Sequence, residues 1–139
     1  MATKRKARKK HKRPELSWKQ RYKKAQGYIA AKNYANALAE LKVIWKIQKE
    51  ESIKKSLSFA YVERAKQLAE KGLYKEAGIL LESSDRLNDT LTHVDLTIHW
   101  LLCAGATEKA LKYYVQHQTE LHRNPHYYSV LEHLAIRLL

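Results

Sequence analysis

The stretch 32-KNYANALAEL-41 decides the fold, because it recurs twice in altered form, as 72-GLYKEAGILL-81 and 105-GATEKALKYY-114. Each copy opens on a turn residue, reaches an alanine five positions on (Ala37, Ala77, Ala110) and places a large side chain four further along (Leu41, Leu81, Tyr114). Twelve residues before each alanine stand Ala25, Ala65 and Ile98, and three after those stand Tyr28, Leu68 and Leu101. Small residues let two helix backbones approach, and bulky neighbours fill the groove between them. The recurrence therefore reads as a packing code for helix–turn–helix pairs.

Working outward, the apolar spacing predicts seven helices. Pro14 and Glu15 suit a helix start, and Trp18, Tyr22, Ala25 and Ile29 share one face, which predicts a first helix over 15–31. Asn33 can cap a second helix, with Ala37, Leu38, Leu41, Ile44 and Trp45 inward and an end near Glu50. Ser52 can cap a third, whose stripe of Ile53, Leu57, Ala60, Tyr61, Ala65 and Leu68 stops at Gly72. A shorter fourth is predicted from Leu73 to Ser84, with 83-SSDRLND-89 as a polar turn. The fifth stripe is Leu91, Val94, Ile98, Leu101 and Leu102. Thr107 can cap a sixth helix carrying Ala110, Leu111, Tyr114 and Val115, which 122-HRNP-125 breaks. A seventh, from His126, carries Val130, Leu131, Leu134, Ala135 and Leu138.

Composition agrees. Four glycines and two prolines in 139 residues favour helices over a sheet that needs turn chemistry every few residues. The length suits one domain, 15–139, behind a basic arm, 1–14. Between Trp18 and His122 the pattern resembles the tetratricopeptide repeat, a helix–turn–helix unit of about 34 residues. The key alanines are 40 and then 33 residues apart, and Ser84 and Ile98 stand where that family prefers alanine. The resemblance implies an all-α fold, an αα-hairpin solenoid of about three repeats plus a C-terminal helix.

It also implies binding without chemistry, on a concave face lined by the first helix of each pair. That face would present Lys19, Tyr22, Gln26 and Ile29, then Phe59, Val62 and Lys66, then Thr92, Asp95, His99 and Leu102. The partner would be another protein, held as a peptide or helix in this groove or on the apolar C-terminal helix. The lysine, arginine and asparagine clamp by which some members hold a terminal carboxylate is absent, so a cochaperone role is not expected.

Few catalytic patterns are available. Four scattered glycines make no phosphate loop, and no GxSxG, HExxH or ExxH pattern occurs. His99 and Cys103 share a helical face, but two ligands do not make a metal site, and Cys103 is the only cysteine. The expectation is a non-enzymatic protein with no metal and no cofactor. No apolar run approaches the ~18 residues of a membrane span, so an intracellular protein without a membrane partner is expected.

The charge is uneven. Residues 1–24 hold twelve Lys and Arg against Glu15 alone, and so carry +11 of the net +13. Lys4, Arg5, Lys6, Arg8, Lys9, Lys10, Lys12 and Arg13 form the arm, and Lys19, Arg21, Lys23 and Lys24 continue it onto the first helix. Such a run can neutralise several phosphates of RNA or DNA without reading sequence. It equally suits a nuclear or nucleolar address or a solubilising tail, which would leave a structural or chaperone-like subunit of a larger complex. The compartment would be the cytoplasm in a bacterium and the nucleus or nucleolus in a eukaryote.

Overall fold

A computed structural model describes residues 16–89 and 93–119, together with Glu132 and Ile136. The described elements are all helical: α1 (Trp18–Ala30), α2 (Tyr34–Ile47), α3 (Glu51–Glu70), α4 (Tyr74–Asn88), α5 (Val94–Cys103) and α6 (Thr107–Gln116). Each helix packs mainly on its neighbours in sequence. Glu132 and Ile136 are helical and exposed. The rest of the predicted seventh helix, and the arm, lie outside the described residues.

The three recurring stretches form three equivalent turns. In each, the second residue past the helix is left-handed: Lys32 at φ 57°, Gly72 at 78° and Gly105 at 77°. Its N–H donates to the carbonyl three residues back, on Ile29, Ala69 and Leu102 respectively. The next N–H, of Asn33, Leu73 and Ala106, donates five residues back to Tyr28, Leu68 and Leu101. This is the Schellman arrangement, which satisfies the orphan carbonyls of a helix end. The same three residues begin the next helix, because their carbonyls accept from Ala37, Ala77 and Ala110 at 3.0–3.1 Å. The recurring alanines thus close the first hydrogen bond of the second helix in each pair, and all three are fully buried.

Several helix boundaries differ from those predicted. The first helix starts at Trp18 rather than at 15, because Ser17 and Gln20 form a capping box: the Ser17 hydroxyl accepts the Gln20 N–H and Gln20 Oε1 accepts the Ser17 N–H. The second ends at Ile47, where Gln48 turns extended. Glu50, not Ser52, stands at the start of α3, and it supplies a backbone carbonyl to Lys54 but no side-chain cap. Thr107 does not cap α6, since Ala106 already occupies that position as the last residue of the turn.

The largest departure is α4, which continues through 83-SSDRLN-88, with Asp89 as its left-handed cap at φ 51°. Polar residues expected to make a turn instead make cross-helix bonds. The Ser58 and Ser84 hydroxyls share a hydrogen bond of 2.9 Å, and the Asn88 amide donates to Ser58 at 2.7 Å. Ser84 is fully buried there, and Asp85 nearly so, with His93 Nδ1 at 3.9 Å from its carboxylate. Among the described residues no buried side-chain oxygen or nitrogen lacks a partner, so the seam is satisfied.

Three apolar clusters hold the helices together. Ala25, Ala37, Leu38, Leu41, Ile44, Ile53, Leu57 and Ala60 join α1, α2 and α3. Ala65, Ala77, Leu81 and Trp100 join α3, α4 and α5, and Val94, Ile98, Leu102 and Ala110 join α5 to α6. Arg21 and Lys24 both reach Glu40, at 3.0 and 3.7 Å, which shows α2 running back along α1.

Candidate functional site

The predicted partner face is built in part. Tyr22 on α1 and Ser56 on α3 join hydroxyls at 3.0 Å, bringing the two helices alongside. Gln26 and Ile29 on α1 face Lys55, Ser56 and Phe59 on α3 across a shallow groove of about 360 Å³. Phe59 is half exposed, and its ring meets the edge of Tyr34 at 6.1 Å, so a large apolar surface is held in a defined pose. Tyr22, Gln26, Ile29 and Phe59 therefore lie near one another on α1 and α3.

Other predicted members do not join them. Val62 packs on the Ala65, Ala77, Leu81 and Trp100 cluster. Leu102 is a core residue, 2% exposed, and is removed from the open face by the packing of α6. Lys66 is exposed and pairs with Glu63 on its own helix at 3.3 Å. Asp95 is half-buried and His99 exposed on α5, and neither lines the groove. His99 Nε2 lies 3.7 Å from Cys103 Sγ, as their spacing predicted, and no group of three metal-ligating side chains occurs among the described residues. Thr92 lies outside the described residues.

The nucleic-acid residues divide similarly. Lys4, Arg5, Lys6, Arg8, Lys9, Lys10, Lys12 and Arg13 lie outside the described residues. On α1, Lys19 rests over the Trp18 ring at 5.7 Å and Lys23 is exposed. Arg21 and Lys24 are engaged with Glu40, so two of the four cations that continue the arm are partly neutralised by the fold.

A second surface was missed in the sequence. Between α2 and α4 lies an open groove of about 570 Å³, with Leu57 and Leu87 as its floor. Trp45 and Tyr61 form its aromatic walls, and Lys42, Lys46 and Arg86 stand around it. Lys42 Nζ lies 5.5 Å from the Tyr61 ring centre, and Lys49 Nζ lies 5.6 Å from that of Trp45. None of its lining residues is acidic, and among the described residues none of these four cations pairs with a carboxylate. Burial pushes the Tyr61 phenol above its ordinary pKa, an effect that nearby Arg86 opposes. The signal was present as Lys42, Trp45, Lys46 and Lys49, a basic stripe at helical spacing with an aromatic in it. It went unread because Trp45 fits the inward stripe, whereas in the fold it is only half-buried.

Among the described residues no helix is long and apolar enough to cross a membrane. Compared with known proteins, the chain matches no family model, no curated protein and no solved structure.

Proposed function

We propose that the chain is a non-enzymatic adaptor: an αα-hairpin solenoid of tetratricopeptide type that binds a protein partner along α1 and α3 and holds RNA or DNA through its basic arm. The observation that carries this reading is the threefold recurrence of one turn, with Ala37, Ala77 and Ala110 in the same role each time. Helix pairs joined by one recurring turn can stack on their neighbours, and stacking them produces an extended surface suited to a chain-like partner. The groove at Gln26, Ile29 and Phe59 offers such a partner an apolar anchor with polar edges.

The arm supplies eight cations without an acid between them. If all eight met phosphates, binding to duplex DNA would fall with salt at a log–log slope of about −7. Deleting residues 1–13 should therefore sharply weaken binding to mixed RNA and DNA oligomers at low salt. Unchanged affinity would remove the nucleic-acid part of the proposal.

One observation favours a second reading. Glu40 engages Arg21 and Lys24, so the charge that continues from the arm onto α1 is partly answered within the fold. In that reading the run is an address or a solubilising tail, and the helical body is a structural or chaperone-like subunit. Fusing residues 1–14 to a neutral reporter separates the two, since an address relocates the reporter and a nucleic-acid arm confers salt-sensitive binding.

A further inference from the structure

The groove between α2 and α4 is not part of the partner face and uses no residue of the arm. We propose that it is a binding site for single-stranded nucleic acid, with phosphates on Lys42, Lys46, Lys49 and Arg86 and a base against Trp45 and Tyr61. The inference goes beyond the adaptor reading and stands without the arm.

The chemistry is that of a ligand which is both anionic and planar. Three exposed cations, Lys42, Lys46 and Arg86, line one concavity, a fourth, Lys49, lies over the ring of its Trp45 wall, and the lining contains no carboxylate to answer them. Some cations elsewhere are answered: Arg21 and Lys24 on α1 meet Glu40, and Lys66 on α3 meets Glu63. Lys42 and Lys49 rest instead on ring faces, an arrangement that holds a cation weakly and releases it readily to a phosphate. Once a lysine moves to the backbone of the ligand, the ring it covered is free to stack on a base, as in sites that take single strands without reading sequence. An acidic peptide would satisfy the cations but would leave both aromatic walls without a planar partner. A duplex would present phosphates but keep its bases stacked away from Trp45.

The fold reinforces this geometry. Because α2 runs back along α1, the start of α1 at Ser17 and the end of α2 at Ile47 lie at the same end of the pair. The groove cations Lys46 and Lys49 thus stand at the end where the basic sequence enters the helical body. The Tyr61 phenol carries an O–H that can donate to a phosphate or a base edge.

The test uses the full-length chain labelled with 15N and titrated with a decamer of uridylate. The Trp45 indole resonance, assigned through Trp45→Phe, should shift on addition and should still shift in a chain lacking residues 1–13. Lys46→Gln combined with Arg86→Gln, both exposed, should weaken binding about tenfold and make the salt slope shallower by about 1.4, the value for two single-strand phosphates. Trp45→Leu should weaken binding about tenfold while leaving that slope unchanged, with circular dichroism verifying the fold. An unmoved Trp45 resonance would overturn the proposal, as would a double variant that binds like the parent. So would a polyglutamate peptide that shifts Trp45 as strongly as the oligonucleotide, because the site would then be one for acidic protein. Loss of binding on arm deletion with Trp45 unaffected in every titration would sink this site and leave the arm proposal standing.

Discussion

The first and third helix pairs share one turn and almost nothing else. Between α1 and α2 the left-handed position is Lys32, the cap is Asn33, and the close approach is made by two alanines, Ala25 and Ala37. Between α5 and α6 the left-handed position is Gly105, the cap is Ala106 with no side-chain bond, and Ala110 faces Ile98 instead of a second alanine. The first pair is further tied by Glu40 to Arg21 and Lys24, and its apolar cluster extends onto α3. The backbone bonds of the two turns are nevertheless the same. A Schellman turn followed directly by a helix is therefore enough to set the pairing, while side chains set how closely and how firmly the pair is held.

The comparison can be broken first at Ile98. Ile98→Ala should cost about 3 kcal/mol in urea unfolding, because a fully buried side chain is replaced by a cavity in a small cluster. A loss below about 1 kcal/mol would mean that α5 and α6 settle together as α1 and α2 do, and that Ile98 is no spacer. The converse substitution, Ala25→Ile, should cost about 2 kcal/mol by overpacking a position where α1 already meets its neighbours. Stability equal to the parent would show that the alanines do not mark a close approach.

The turns give smaller effects. At Gly105 an added methyl meets nothing within 4 Å, so Gly105→Ala tests the left-handed backbone alone and should lose about 1 kcal/mol. Lys32→Gly should do the reverse and stabilise by about 0.5 kcal/mol, the relief of strain being offset by the freer unfolded chain. Equal and same-signed effects at the two sites would contradict the equivalence of the turns. The smallest change is expected from Glu40→Gln, a loss of about 0.5 kcal/mol that shrinks in high salt, since these pairs are partly exposed.

Much of the fold was legible, and for a local reason. The alanine spacing, Asn33 and the two turn glycines act through bonds within a few residues, so they could be read from the chain directly. The length of α4 could not. Ser84 and Asn88 have turn chemistry in isolation, and only Ser58, 26 and 30 residues away in sequence, turns them into a helical seam. Trp100 was not on the predicted stripe, yet its long side chain reaches a cluster with Ala65 of α3 and with Ala77 and Leu81 of α4 and is buried there. Of the residues that the repeat resemblance placed on a partner face, Tyr22, Gln26, Ile29 and Phe59 lie together on α1 and α3, whereas Val62 and Leu102 pack into apolar clusters.

What the sequence by itself determined is the series of helices, the three turns between paired helices and the concentration of positive charge at one end of the chain. Each of these follows from interactions a few residues long or from composition. Only the tertiary structure decided which cations are answered and which are not. Arg21 and Lys24 look as free in the sequence as Lys46 and Arg86, but Glu40 is brought to the first two and no carboxylate lines the groove around the second. Electrostatic partnership falls off with distance in space rather than along the chain, so it is set only once the helices have packed.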